Sequence, residues 1–228
     1  MNLGQYISRI RRMLPSLTIE SCEDSVIAQE LNHGCDEINL LAQAFHGYTE
    51  FSSVAEKQIY SISENAPRYL GMKKNGVWWY TTAGASWYLF PKSLKWLDLN
   101  IRNWRDSASG TNPTWYWIED DDLGLFPKPS GANTVRIYHL MKAVPMDNND
   151  NYPWENKTTE NLAMRPFDNA LVAYARWALS PAAAQPSKED LLYARFMAEV
   201  NKARTQANRR PDFTSDFDYF ERIDVIRQ

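Results

Sequence analysis

Apolar residues recur along this chain at two different periods, and the change of period divides it. Near the start, "LGQYISRIRRML" sets Leu3, Ile7, Ile10 and Leu14 three or four residues apart, and Pro15 closes the run. That spacing predicts one helix. A second helix is marked more strongly. In "SCEDSVIAQELNHGCDEINLLAQAFHG", Ser21 and Asp24 have the spacing of a capping box, and Ile27, Leu31, Cys35, Ile38, Ala42 and Phe45 form one stripe. Gly47 stands where a left-handed C-cap is expected. Gly34 inside this helix costs about 1 kcal/mol relative to alanine, which points to a neighbouring helix that approaches closely there.

From Tyr48 to about Leu162 the pattern changes. Prolines and glycines, among them Pro67, Gly84, Pro91, Gly110, Pro127 and Pro153, recur at intervals too short for long helices. Between them lie "KQIYSI", "GVWWYTT", "SWYLF", "PTWYWIE", "LGLFPKP" and "TVRIYHLMKA", rich in β-branched and aromatic residues. The expectation is an inserted β-rich domain of about six to eight strands, antiparallel because the connections are short. In its last strand, Pro127 and Pro129 end "LGLF", Gly131 helps reverse the chain, and "TVRIYHLMKA" returns. One side of that strand is expected in the β core, leaving Arg136, Tyr138 and Lys142 available to neighbours.

Helical spacing resumes in "RPFDNALVAYARWAL". Pro166 suits a first helical turn, and Ala170, Leu171, Tyr174, Ala175, Ala178 and Leu179 make an apolar face. "SPAAAQP" interrupts it. Ser187 and Asp190 then repeat the capping-box spacing before Leu192, Phe196, Val200, Ala203 and Ala207, a stripe whose alanines let helices pack closely. The fold expected is α+β: an antiparallel helical bundle from residues 1–47 and 163–210, a β-rich domain at 48–162, and an extended tail at 211–228. The tail alternates acids with Phe213, Phe217, Tyr219, Phe220, Ile223 and Val225.

Composition narrows the function. The chain has 228 residues, 44% hydrophobic and 23% charged, which is enough for a core without disulfides or metal. A net charge of −3 argues against a broad surface that grips nucleic acid. Cys22 and Cys35 have neither CxxC nor ligand spacing and are read as free thiols in a reducing compartment. With no long apolar run and no signal-peptide core, neither a membrane span nor export is expected.

The polar residues fall into no catalytic or metal-binding pattern. His33, His46 and His139 form no paired metal motif, and Cys35 falls on the apolar stripe of the helix it shares with His33. "IEDDDLG", with Glu119 to Asp122, lacks the alternate oxygens of a calcium loop and reads as a solvated hairpin turn. Asp98, Asp106 and Glu119 are carboxylates with nothing to mark one as a general acid. "GMKKNG" reads as a β-turn in which Asn75 and Gly76 supply positive φ. No catalytic residue, metal or cofactor is expected.

Unusual is the aromatic load of nine Trp, twelve Tyr and nine Phe. Trp78, Trp79, Trp87, Trp96, Trp104, Trp115 and Trp117 all fall in the β section, where alternation sets Trp115 and Trp117 on one face and Tyr116 on the other. Such residues fill cores, stack on sugars, or anchor protein interfaces.

The order of these phrases resembles the head–tail connector, or adaptor, proteins of tailed bacteriophages. "EINLLAQAFHGYTEFSSVAEKQIYSIS" is similar to that family's second helix running into a first strand, ending here in Tyr60-Ser61-Ile62. "YLGMKKNGVWWYTTA" and "PKSLKWLDLNIRNWRDSASGTNPTWYW" resemble its strand pair, followed by Trp104 and the phrase Pro113 to Tyr116. "LGLFPKPSGANTVRIYHLMKAVPM" is similar to its Pro-x-Pro phrase and following strand, and "FDNALVAYARWAL" to its penultimate helix.

What the resemblance implies is a structural virion protein, made in the host cytoplasm and placed at the head–tail junction. It implies a ring of twelve copies beneath the portal protein, with the helical part on the portal and the β part toward tail or nozzle proteins. DNA would pass through the channel without sequence-specific binding. No enzyme activity, cofactor or membrane is implied. The partner-contact candidates are Phe213, Phe217, Tyr219, Phe220, Ile223 and Val225 in the tail, with Trp78 and Trp79 in the β section. Residues 211–228 are expected to order only against a neighbouring copy or the portal. The competing readings are a carbohydrate- or receptor-binding β module of a virion and a glycosidase-like enzyme.

Overall fold

A computed structural model describes residues 1–106, 112–154, 160–181 and 189–207, apart from the side chain of Lys74. The tail candidates from Phe213 to Val225, and Ser187 of the second expected capping box, lie outside the described residues. In chain order the elements are α1 (Leu3–Met13), α2 (Asp24–Ala42), β1 (His46–Ser52), β2 (Ile59–Ser61), α3 (Ile62–Asn65), β3 (Tyr69–Tyr80), β4 (Ser86–Tyr88) and β5 (Phe90–Pro91). There follow α4 (Leu94–Asn100), β6 (Trp115–Glu119), β7 (Asp122–Phe126), β8 (Thr134–Met141), a 3-10 turn at Arg165–Phe167, α5 (Asp168–Ala178) and α6 (Glu189–Ala207). The protein is therefore α+β. It divides into a helical unit, Met1–Phe45 with the described chain from Met141 on, and a β unit, His46–Leu140.

In the helical unit α1 opens with a cap that periodicity does not reveal. The Gln5 amide donates to Asn2 Oδ1 and the Asn2 amide donates to Gln5 Oε1, both at 3.0 Å. Its buried face, Leu3, Tyr6, Ile7 and Ile10, joins one core with both chain ends. All six stripe residues of α2, from Ile27 to Phe45, are buried in that core. The ends of α2 differ from expectation. Ser21 donates its hydroxyl to the carbonyls of Ser16 and Thr18, so it is spent on the preceding turn and the helix starts uncapped by any side chain.

At the other end Gln43, at φ 53°, is the left-handed cap, while Gly47 lies in β1. The cause is Asn39. Its buried amide donates to the Phe45 carbonyl at 2.7 Å and accepts from the Phe45 N–H at 2.7 Å, which turns the chain before Gly47 is reached.

Gly34 shows the expected close approach: a Cβ there would sit 2.6 Å from Tyr174 Cδ1 and 2.9 Å from Leu171 Cδ1 of α5. Six consecutive residues of α5, Ala170 to Ala175, are buried, and Leu192, Phe196, Val200, Ala203 and Ala207 of α6 complete the core. The division between the units falls at 45/46 and at 140/141. Polar side chains of α2 hold the segment after β8: Met146 N donates to Asn32 Oδ1 at 2.8 Å, and Ala143 N donates to Asp36 Oδ1 at 3.0 Å. Met146 and Trp154 then enter the helical core.

The β unit holds two four-stranded sheets, in the orders β1-β8-β3-β4 and β2-β7-β6-β5. The β1–β8, β2–β7, β3–β4 and β6–β7 pairs are antiparallel. The β5–β6 pair is parallel, a departure that the long α4-bearing connection makes possible. Between Glu119 and Asp122 the hairpin turns with Asp120 at φ 52°, and Asp121 accepts hydrogen bonds from the hydroxyls of Ser61 and Ser63.

The turn expected in "GMKKNG" is instead part of one long strand, β3. Asn75 has φ 52°, but a Cβ at Gly76 would lie 2.5 Å from the carbonyl oxygens of Lys73 and Tyr138. Gly76 is there for close backbone approach.

Candidate functional site

The β unit buries aromatic residues on more than one face. Tyr60, Val77, Trp79, Tyr116, Leu125 and Ile137 belong to its main core. Trp104, Trp117, Leu97 and Phe126 form a second core, with Trp104 edge-on to Trp117 at 4.9 Å and Trp115 stacked on Phe126 at 5.8 Å. So β6 is covered on both faces: Tyr116 points to one core and Trp117 to the other. Gly124, opposite Trp117, makes room for its indole, since a Cβ there would fall 1.9 Å from the ring.

What remains outward is the other face of the β1-β8-β3-β4 sheet. Alternation in β1 brings Tyr48 and Glu50 to that face, and the register pairs them with Tyr138 and Arg136 of β8. From β3 come Trp78 and Tyr80, and from β4 Tyr88, which is paired with Trp78. Arg136 sits at the centre. Its Nε donates to Glu50 Oε1 at 2.6 Å, and its Nη1 donates to the hydroxyls of Tyr80 at 2.9 Å and Tyr138 at 3.0 Å. The guanidinium also lies 4.6 Å from the Tyr48 ring centre and 4.4 Å from that of Tyr80. The Tyr138 hydroxyl and, after it, the Glu50 carboxylate hold the Arg136 pKa above its ordinary value. Partial burial first, and then the Tyr138 hydroxyl, raise that of Tyr80.

The rings continue outward from this hub. Trp78 touches Tyr80, Tyr88 and Tyr138 at 6.1 to 6.4 Å, and Tyr88 meets Phe90 edge-on at 4.9 Å. Tyr48 is 56% exposed, Tyr88 39% and Phe90 46%, which makes a contiguous apolar patch on the surface. The polar atoms at its centre bond one another, so what the patch offers a partner is mainly ring faces.

Of the two sequence candidates in the β unit, Trp78 belongs to this patch and Trp79, wholly buried, fills the core. Sequence reasoning placed Arg136 and Tyr138 outward but missed Tyr48, Glu50 and Tyr80. The alternation in "GYTEF" held that signal, which shows only once β1 is set beside β8.

The polar groups considered for chemistry are occupied elsewhere. His139 is buried, with Nδ1 2.8 Å from the Leu140 carbonyl and Nε2 3.0 Å from Thr49 Oγ1, and desolvation lowers its pKa. Asp98 accepts from Arg105 and from Trp104 Nε1, and those bonds hold its carboxyl below the usual range, opposite to what a general acid needs. Cys22 and Cys35 are free and buried, and burial pushes both thiols up. Among the described residues no group of three or more His, Cys, Asp or Glu could hold a metal ion, and no helix is long and apolar enough to cross a membrane.

No curated protein matches the chain. A family model does: residues 1–216 match the one described as SU10 adaptor protein. That match takes in both units described above and agrees with the bacteriophage-adaptor resemblance of the sequence phrases, and the chain belongs to the SU10 adaptor protein family.

Proposed function

We propose that this structural phage adaptor is a head–tail connector: its copies form a ring, twelve in number, beneath the portal and join it to the tail. DNA passes through the central channel without sequence-specific contacts. The helices of the two chain ends form an antiparallel bundle that meets the portal, and the β domain meets tail or nozzle proteins. Trp78 and the apolar tail residues Phe213, Phe217, Tyr219, Phe220, Ile223 and Val225 are the contacts.

The observation that carries this reading is the outward aromatic patch around Arg136, because its polar groups are already paired and its rings are not covered within the β unit. The same observation weighs against a sugar platform, which needs free hydroxyls and charged groups beside its rings.

The test mixes the full chain with portal particles, separates bound from free by sedimentation, and images the bound fraction by electron cryomicroscopy. A ring of this chain on the portal is expected, and when tail proteins are then added the double substitution Trp78→Ala, Tyr88→Ala should lower their incorporation at least tenfold. A chain that never joins the particle overturns the reading. Glycan-array binding that Trp78→Ala abolishes would replace it with the carbohydrate module.

A further inference from the structure

The helical unit carries a second surface of different character. On α5, Trp177 meets Tyr193 of α6 at 5.1 Å and stacks on Phe196 at 6.4 Å. Tyr193 is 44% exposed and Leu191, one turn before Arg195, is 71% exposed. Arg176 flanks Trp177, and its buried Nε has no hydrogen-bond partner among the described residues. Arg195 follows Tyr193 on the exposed side of α6 and likewise has no ion pair among the described residues. Glu199, one turn on, is instead paired with Lys202 at 3.9 Å. Desolvation, then the nearby Arg195 charge, lowers the Arg176 pKa, which fits two guanidiniums that lack a counter-charge. An unpaired buried donor costs about 1–3 kcal/mol, so this surface gains from an anion that arrives with apolar groups.

The chain supplies such a group in its own sequence. Residues 211–221, outside the described residues, contain Asp212, Asp216, Asp218 and Glu221 with no Lys or Arg, interleaved with Phe213, Phe217, Tyr219 and Phe220. This is the complement of a basic, aromatic surface: carboxylates for the guanidiniums and rings for Trp177 and Tyr193.

We infer that residues 211–221 of one copy dock on the Arg176–Arg195 and Trp177–Tyr193 surface of a second copy. Donor and acceptor occupy different parts of one chain, so a contact passed from copy to copy, not exchanged within a pair, is heterologous and can close a ring. Arg195 stands roughly 18 Å back along α6 from Ala207 at 1.5 Å per residue, a distance the segment can cover within its own chain, so cross-linking is what separates docking on a second copy from docking on the same one. The inference rests on the proposed self-assembly and names the surface that performs it.

The experiment mixes two full-length variants, Leu191→Cys and Ser215→Cys, under mild oxidation and identifies the linked peptides by mass spectrometry, with sedimentation velocity of the unmodified chain, alone and with portal particles, alongside. The expected result is a covalent dimer linking position 191 of one copy to position 215 of another, in whichever condition the chain associates. Arg176→Glu with Arg195→Glu should weaken association at least tenfold, and adding Asp216→Arg with Asp218→Arg should restore it. Association without that link, or a chain carrying both Leu191→Cys and Ser215→Cys that links only within itself, overturns this inference and leaves assembly standing. A chain that stays monomeric in both conditions overturns both.

Discussion

The two units solve the packing problem with different side chains. In the helical unit, small residues let backbones come together: Gly34 lies under Tyr174 and Leu171, and Ala170, Ala173 and Ala175 are buried on α5. In the β unit, large rings fill the space between sheets and the surplus spills outward around Arg136. A helix stripe has one inward face, so the buried residues of α2 and α6 follow from spacing alone. A strand has two faces, and in β6 both are covered. The difference is physical: the helices draw backbones together over small residues, whereas the strands fill the space between sheets with rings and gather further rings around one guanidinium on the outer face.

The largest test separates neighbours in one strand. Trp79→Ala should cost the β unit about 3–5 kcal/mol, as loss of a buried aromatic does, while Trp78→Ala should change stability by less than about 1 kcal/mol. Urea denaturation followed by hydrogen exchange of β3 and β8 amides gives both values. Equal losses would place Trp78 in the core and remove the distinction between inward and outward rings.

Next comes the glycine contrast. Gly34→Val forces atoms toward Tyr174 and Leu171 and should destabilise the helical unit by about 1–3 kcal/mol. Gly131→Val, where nothing lies within 4 Å of the added carbon, should stay within about 0.5 kcal/mol of the parent. A neutral Gly34→Val, read from the exchange of α2 and α5 amides, would show that the helices can part without cost.

These pairs also mark what could be read beforehand. The stripes of α2 and α6 were legible because their apolar residues lie three or four apart, whereas α5 buries Ala170 to Ala175 in an unbroken row, wider than the face its spacing marks. The span 141–154 was not, because Pro145 and Pro153 look like strand punctuation while its hydrogen bonds go to Asn32 and Asp36, more than a hundred residues earlier. The caps differ for a nearer reason: Ser21 is spent on the carbonyls of Ser16 and Thr18 in the preceding turn, and Asn39 bonds Phe45 before Gly47 is reached. At the candidate surface, Arg136 was legible as an outward residue, but its tyrosines come from three strands and no local window contains them.

A smaller effect distinguishes charged from neutral hydrogen bonds in the two cores. Tyr6 donates to Asp168 Oδ1 at 2.5 Å, and Tyr60 donates to the Lys57 carbonyl at 3.0 Å. Tyr6→Phe should cost the helical unit roughly 1.5–3 kcal/mol, since it leaves a carboxylate short of a donor, against about 1 kcal/mol for Tyr60→Phe in the β unit. The reverse order in matched urea titrations would mean that Asp168 finds a replacement donor.

The weakest predicted effect is a pH response confined to the β unit. His139 is neutral in the folded state, its Nδ1 proton donated to the Leu140 carbonyl and its Nε2 accepting from Thr49. Tyr69 covers the ring at 5.5 Å, and the Arg68 charge adds to the desolvation that lowers the pKa. The unfolded chain takes up this proton near pH 6.5, whereas the folded chain takes it up only at lower pH. Between those two values the unfolded state binds more protons, so stability falls as pH falls, by at most about 1.4 kcal/mol per unit. His139→Gln should flatten that segment of the curve, leaving a further decline at more acid pH, where the unfolded chain protonates carboxyls that hydrogen bonds keep ionised at Asp98 and Asp121 in the fold. Exchange protection of β8 measured from pH 7.5 to 5 supplies the curve, and an NMR titration supplies the His139 pKa. A value at or above 6.5 would mean that the ring is solvated when the protein is folded, and the tight inner face of β8 would have to be given up with it.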